Sequence, residues 1–360
     1  MRIGLIFGGR SVEHEVSINS ARTVAEALEA AGHRVVPLPV GPDGVWLDPD
    51  LGASALAGEL DRLPARGGPI AASLGHLLEA GVEAVFPIVH GTWGEDGTLQ
   101  GLLEVLDLPY VGAGVAASAV AMDKGLTKRL LAAEGVPVVP FETVSRVALA
   151  GDRPAVLGRL ERFEPPLFVK PVTGGSSVGV RKVADRGCLD EALEFALRFD
   201  DAVLVEQGVA GRELEVAVLG GDRLEASEVG EIVPGREFYD YEDKYLSEGA
   251  RLIAPAELPR AVADRLRELA VRAFATIGGQ GMARVDFLLE NETPYVNEIN
   301  TLPGFTSISM YPRLWDLSGV PLPELVDRLV RIGVERHRER GRLDRGIREW
   351  IAELEARRSG

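Results

Sequence analysis

The chain has 360 residues, 46% apolar and 26% charged, which excludes wholesale disorder and at this length predicts two or three domains. Its 39 Lys and Arg against 55 Asp and Glu leave a net charge of −16, arguing against nonspecific affinity for nucleic acid or an anionic membrane. No apolar run approaches the roughly 20 residues of a membrane span, no basic-apolar leader opens the sequence, and the single Cys188 makes no intrachain disulfide, so a cytoplasmic location is expected.

In chain order, RIGLIF (2–7) reads as a strand that Gly8-Gly9 breaks, followed by a helical pattern that ends at Gly32. HRVVPLPV is a second strand. Residues 41–68 are rich in Gly, Pro and Ala and carry no clear pattern. A helical stretch at 70–80, a buried strand at 84–90 and a helix near 97–106 follow. This alternation predicts a parallel α/β domain over 1–112.

Over 113–206 the pattern changes. Helical DKGLTKRLLAAEG gives way to strand-like VPVVPFETV, then LFVKPV, a polar glycine loop, VGVRKV, a helix near 187–199 and AVLVEQ. Neighbouring strands of this kind predict an antiparallel α+β module. The third portion, 207–332, holds ELEVAVLG, a polar and aromatic stretch at 235–250, a helix near 257–277 and two strands at 281–300. The remainder, 333–360, is highly charged and reads as a solvated terminal helix, with an amphipathic run IREWIAELEARR.

Several loops joined to strand ends could carry chemistry. In GMARVDFLLENETPYVNEIN, alternation sets Arg284 and Asp286 on one face of a strand and Glu298 and Asn300 on one face of the next. A hairpin with Glu290 facing Pro294 around a three-residue loop places Asp286 opposite Glu298 and Arg284 opposite Asn300. Two opposed carboxylates repel each other. Either a hard cation such as Mg²⁺ relieves them, or the face is solvated with Arg284 as counter-ion. In LFVKPVTGGSSVGV, Lys170 ends a strand before a glycine-serine turn, which is either a phosphate cradle or a plain hairpin loop. Glu13, His14 and Glu15 follow the first glycine turn, at a sheet edge or as acids favouring a helix start. His90 lies at another strand tip. EFYDYEDKYLSEGA reads as a lid or an acidic surface loop. NTLPGFTSISMYP offers the Gly304 N–H and the Ser307 and Ser309 hydroxyls, or is an ordinary turn.

GGRSVEHEVS, HGTWGEDGTLQG, MDKGLTK, FVKPVTGGSSVGV, YDYEDKY, GMARVDF and NEINTLPGFTSISMYP stand in the order seen in D-alanine–D-alanine ligases of the ATP-grasp superfamily, and residues 1 to about 330 resemble that family. The resemblance implies α/β and α+β domains in a three-domain ATP-grasp architecture with an amino-terminal parallel α/β domain. It implies that ATP is held between the central and carboxyl-terminal domains. Lys124 and Lys170 would contact its phosphates, with Ser176 and Ser177 in the loop closing over them. Glu206, Gln207 and Val209 would border adenine, and Glu213 the ribose. Asp286, Glu298 and Asn300 would bind two Mg²⁺ ions, or Mn²⁺ in their place.

By the same resemblance, Glu13 would hold the ammonium of the first D-alanine and would link with Ser176 and Tyr245 to order the lid. Arg284 and the Gly304 N–H would stabilise an oxyanion. Lys244, which would also touch ATP, would receive the second D-alanine with Ser309 and Met310, and His90 would join the substrate site. The implied reaction is ATP-dependent ligation of two D-alanines, for peptidoglycan precursors, with dimerisation to a homodimer common in the family. D-lactate or D-serine as second substrate, or a non-catalytic ATP-binding sensor, are the alternatives. Gln207 departs from the lysine that some members have near adenine.

Overall fold

A computed structural model describes residues 1–234 and 251–359. Lys244 and Tyr245 lie outside the described residues. Among the described residues the strands form three sheets. In the first, β1 (Arg2–Gly8) lies between β2 (Arg34–Val40) and β3 (Ala84–Pro87), all parallel. The middle strand is almost wholly buried, as its unbroken apolar run requires. β3 is shorter than the expected 84–90, although the Ile88 N–H still bonds to the Ile6 carbonyl at 2.8 Å. The helix expected at 70–80 is two short pieces, Ile70–Ser73 and Gly75–Glu79.

The second sheet is antiparallel, in the order β4 (Phe141–Ser145), β7 (Ala202–Gln207), β5 (Leu167–Pro171), β6 (Arg181–Val183). β4 begins five residues later than VPVVP led us to expect. Pro137 and Pro140 lack donors, and this segment instead offers the Pro137 carbonyl to Val296 N–H at 2.8 Å.

The third sheet is antiparallel, in the order β10 (Arg251–Ile253), β9 (Leu224–Val233), β8 (Arg212–Gly220), β11 (Gly281–Glu290), β12 (Thr293–Asn300). β9 escaped the sequence reading because LEASEVGEIV intersperses acids among its apolar positions. One of those acids, Glu231, is paired with Arg212 across the sheet at 2.7 Å. The helix Arg260–Thr276 buries Leu266, Leu269, Ala270, Ala273 and Phe274 against this sheet, an apolar stripe at helical spacing.

The cores explain how the site is framed. The first and third sheets share one hydrophobic cluster in which Phe86 meets Phe305 edge-on at 5.9 Å and Phe305 meets Tyr311 at 5.4 Å. The second sheet keeps a cluster of its own, from Val144 to Val205. It therefore sits as a separate layer, with a cleft between it and the third sheet.

The terminal helix runs unbroken from Leu322 to Ser359, with no break at 333. Leu325, Val326, Leu329 and Val330 belong to the shared core. A side chain at Gly333 would collide with the Tyr110 backbone. Arg336 then stacks over the Tyr110 ring at 4.4 Å and donates to the Tyr110 and Gly112 carbonyls. Arg340 pairs with Glu104. The solvated reading of 333–360 fails for these first turns, because an arginine stem can pack on an aromatic face while its fork is satisfied by carbonyls.

Candidate active site

Arg284 and Asp286 point to one face of β11 while Ala283, Val285 and Phe287 are buried, as alternation requires. Asp286 does stand opposite Glu298, and Arg284 opposite Asn300. The route to that register differs from the expected one. Glu290 pairs with Thr293, and Asn291 and Glu292, both at positive φ, form a two-residue turn. The missing residue reappears as a bulge at Asn297, where the register shifts between Asp286 and Phe287. The bulge has a consequence for the site: it turns Asn297 toward Lys170, whose Nζ donates to Asn297 Oδ1 at 3.4 Å.

Glu215 of β8 flanks Asp286 on its other side, so three carboxylates line up across β8, β11 and β12. Arg284 lies among them. Its Nε and Nη2 donate to the two Asp286 oxygens at 2.7 Å each, and Nε lies 3.1 Å from Glu215. Burial alone would lower the Arg284 pKa, but Asp286 and Glu215 hold it well above its ordinary value. The counter-ion role is thus real, and it does not exclude the metal. Arg284 serves Asp286 and Glu215, while Lys124 Nζ is 3.9 Å from Glu298. No three acidic, imidazole or thiol groups converge on one point among the described residues. The donor set is two carboxylates and the Asn300 amide oxygen, which accepts from Leu302 N–H at 3.0 Å. Such hard, incomplete oxygen ligation fits Mg²⁺ finished by phosphate and water.

Glu215, Arg284, Asp286 and Glu298 form one wall of a cleft of about 660 Å³ between the second and third sheets, while Asn300 lies outside its lining. The same cleft is lined by Lys124, Lys170, Ser176, Ser177, Glu206, Gln207, Val209 and Glu213. Lys124 opens the helix Lys124–Ala133, whose N-cap Asp123 accepts from Leu126 N–H at 2.7 Å, and its Nζ donates to the Gly174 carbonyl at 2.5 Å. Ser176 and Ser177 both adopt left-handed φ, 52° and 56°, a conformation that favours glycine and is held here by the loop around it. Ser176 Oγ donates to Glu13 at 2.6 Å, tying this loop to the first sheet's edge.

Glu206 and Gln207 both line the cleft, but their side chains are engaged by partners of their own. The Glu206 carboxylate is buried, 2.7 Å from Lys128 Nζ and 2.5 Å from Lys170 Nζ. Burial alone would raise its pKa, but the two ammonium groups hold it below the usual carboxylate value. Lys128, to which no role was assigned, has no exposed surface at all. Its signal was present in the sequence: it stands one helical turn from Lys124 in a chain that otherwise uses arginine. The Gln207 side chain turns onto the backbone of Glu164, accepting from its N–H at 3.0 Å and donating to its carbonyl at 2.6 Å. Only its backbone therefore remains for a base at that edge.

The remaining expected residues lie beside the cleft. His90 does not line it. The ring is buried, 3.1 Å from the Leu302 carbonyl, 3.1 Å from Ser20 Oγ and 3.7 Å from Glu95. Burial alone would lower its pKa, but Glu95 and Glu13 raise it. Met310 likewise does not present its side chain, which is packed in the shared core. It is the first residue of the helix Met310–Leu317, so its N–H is what faces out, at an anion-favouring helix start. Ser309 precedes it, and its Oγ makes no cap to the helix but accepts from Thr306 N–H at 3.0 Å. A side chain on Gly304 would come within 2.8 Å of Ser309 Oγ. Contacts thus link Asn300 through Leu302 and His90 to Glu95, and Glu13 separately to Ser176.

Profiles described as the D-ala D-ala ligase N-terminus and C-terminus match residues 2–113 and 130–331. The chain belongs to the D-alanine–D-alanine ligase family. It is 44% identical to the D-alanine–D-alanine ligase of Solibacter usitatus, over 94% of this chain and 97% of that protein. It is 45% identical to D-alanine–D-alanine ligase A of Bradyrhizobium diazoefficiens, over 96% and 98% respectively. The solved D-alanine–D-alanine ligase of Coxiella burnetii superposes with a TM-score of 0.80 at 37% identity, covering 99% of both chains. The D-Ala:D-Ser ligase VanG of Enterococcus faecalis gives 0.78 at 31%, covering 92% of this chain and 99% of its own. The ligase fold thus extends over the shared core, the separate second sheet and the cleft between them.

Proposed function

We propose that the chain joins two D-alanine molecules into D-alanyl-D-alanine with ATP, through an acyl phosphate, releasing ADP and phosphate for peptidoglycan precursor synthesis. The observation that carries this reading is one cleft holding Lys124, Lys170 and the Gly174–Ser177 loop opposite Asp286 and Glu298, with Glu13 bonded to the same loop. A carboxylate is inert to amines, so the first D-alanine must be activated. Lys124 and Lys170 take the phosphates as point charges. Asp286, Glu298 and Asn300 offer the oxygen donors for Mg²⁺, which when bound neutralises charge on the transferring phosphoryl group.

Glu13 holds the first ammonium, and its bond to Ser176 closes the loop against water, which would otherwise hydrolyse the acyl phosphate. Arg284 and the Gly304 N–H face the oxyanion as the second amine attacks; one such donor is typically worth ~2.7–4 kcal/mol. The Met310 N–H and Ser309 at the helix start receive the second carboxylate, together with Lys244. Adenine lies along Val209 and the backbone of Glu206 and Gln207, and the ribose near Glu213. The working units are 1–112, 113–206 and 207–332. No helix among the described residues is long and apolar enough to cross a membrane. As a maker of peptidoglycan precursors, the chain is proposed to act in the cytoplasm.

The D-Ala:D-Ser ligase VanG is 31% identical to this chain, whereas the two D-alanine–D-alanine ligases named above are 44–45% identical over nearly the whole chain. ATP turnover should be scored against a panel of D-amino acids with products identified by mass spectrometry. D-Alanine-dependent phosphate release with D-alanyl-D-alanine is expected. ADP without dipeptide would make the chain a sensor. A predominant ester or mixed dipeptide, when D-lactate or D-serine competes at neutral pH, would overturn the assigned specificity.

A further inference from the structure

Arg336 stands on the terminal helix past residue 331, where the family profile ends, and it is half-buried. Among the described residues it makes no ion pair. Its fork goes to two backbone carbonyls instead, Gly112 through Nη1 and Tyr110 through Nη2 at 3.0 Å, while its Cζ lies 4.4 Å from the centre of the Tyr110 ring. A guanidinium that gives both arms to neutral carbonyls neutralises no carboxylate. What it does is fix the backbone that joins those carbonyls. Gly333, one turn earlier, packs on the Tyr110 backbone with no room for a side chain, so the helix sits close enough for both bonds to form.

The fixed backbone is a junction. Val85 N–H donates to the Pro109 carbonyl at 2.8 Å and Val111 N–H to the Val85 carbonyl at 2.9 Å, which joins it to β3. A side chain on Gly281, the first residue of β11, would fall 2.7 Å from the same Gly112 oxygen that Arg336 holds. One on Gly112 would meet Met282, Thr301 and Leu302. Leu302 in turn fixes two residues of the site: its N–H donates to Asn300 Oδ1 at 3.0 Å, and its carbonyl lies 3.1 Å from the His90 ring. We infer that Arg336 is a positioning residue for the ligation. By clamping Tyr110 and Gly112 it steadies the start of β11 and the Asn300–Leu302 segment, and through them the Asn300 amide oxygen and His90. The inference rests on the proposed role of Asn300 as a Mg²⁺ donor. Arginine suits the task because a single ammonium cannot bridge two carbonyls two residues apart and stack on the ring at once.

Arg336→Met keeps an apolar stem against the ring and removes the fork. Hydrogen exchange of the full chain without ligands should show the Leu302 amide opening about tenfold faster. At saturating ATP and D-alanine, the Mg²⁺ concentration for half-maximal rate should rise about tenfold, the scale for losing a group that orients a metal ligand. The kcat should fall about tenfold from misplacement. The KM for ATP should stay within about twofold, since Lys170 and the loop after it belong to the second sheet, whose core is its own. Arg345→Met, the same change at an exposed arginine of the same helix, should match the wild type throughout. Arg336→Lys should fall between wild type and Arg336→Met, and it decides the question if Arg336→Met does not fold. The inference is overturned if exchange at Leu302 is unchanged, or if it quickens while kcat and the Mg²⁺ dependence keep their wild-type values, which would make Arg336 a brace for the fold alone. Equal losses in Arg345→Met overturn it as well. A wild type that forms no dipeptide, with Leu302 exchange still dependent on Arg336, would sink the ligase reading and not the clamp.

Discussion

Replacing Lys128 with Met tests whether the buried Lys128–Glu206–Lys170 cluster supports the phosphate side of the cleft. Lys128 Nζ lies 2.7 Å from Glu206 with no exposed surface, and Lys170 lies 2.5 Å from the other carboxylate oxygen. At an effective dielectric near 20, a contact of this length carries about 6 kcal/mol of attraction before desolvation is counted. Removing one partner of a buried pair typically costs ~3–5 kcal/mol, since a charge is left buried. Here Lys170 still faces Glu206, so the loss belongs at the low end, about 3 kcal/mol. Lys170 would then be the sole cation on Glu206, which draws its charge away from the phosphates, and the KM for ATP should rise. Denaturant unfolding of Lys128→Met, Glu206→Gln and the double variant gives the coupling directly. Steady-state kinetics give the KM and kcat separately. A Lys128→Met protein within about 0.5 kcal/mol of wild type, with an unchanged KM for ATP, would refute the support role.

Three further outcomes are expected. Asp286→Asn should slow phosphoryl transfer by at least about 100-fold and raise the Mg²⁺ requirement, yet leave stability within about 1 kcal/mol, because it relieves the opposition to Glu298 while Arg284 keeps Glu215; unchanged turnover with lower stability would support a purely solvated face. Ser176→Ala removes the 2.6 Å bond to Glu13 and should cost about tenfold in kcat/KM for D-alanine, with more ADP formed per dipeptide; tight coupling of ADP to dipeptide would show that the bond does not seal the site. The raised pKa of His90 stabilises the fold fully below its unfolded value of ~6.5, and that contribution is lost as the pH rises through the folded value. The thermal midpoint of the wild type should therefore fall over that rise while that of His90→Gln does not, and parallel profiles would contradict the charged assignment.

Much of the frame was legible because it depends on local patterns. β1, β11 and β12 are strands whose buried and exposed positions alternate or run unbroken as their sequences do. What was not legible depends on partners distant in sequence. β9 reads as polar until Arg212 is seen to satisfy Glu231 across the sheet. The Asn297 bulge follows from the turn chosen by Asn291-Glu292, and it left the 286–298 pairing correct for a reason the sequence reading did not contain. The resemblance implies substrate roles for His90 and Met310, but burial turns one ring inward and leaves the other residue only its N–H. A motif specifies which residues gather; it does not say whether the side chain or the backbone does the work.

The lysine economy follows from the same geometry. The chain uses thirty-four arginines and five lysines. Lys124, Lys128, Lys170 and Lys182 are all within the described residues, and all but Lys128 line the cleft. Lys128 sits directly behind it, against Glu206. On exposed surface a guanidinium serves as well as an ammonium, and pairs such as Arg146 with Asp201 or Arg328 with Glu324 use it. Around Glu206, two cations must each reach one carboxylate within a space that leaves Lys128 no exposed surface. A planar five-donor fork would bring donors that this pocket cannot satisfy, whereas a compact ammonium needs fewer acceptors. Toward the phosphates the demand is again for point charges that can shift as the loop closes. The scarcity of lysine is thus a map of the cleft, because arginine replaced it wherever shape did not matter.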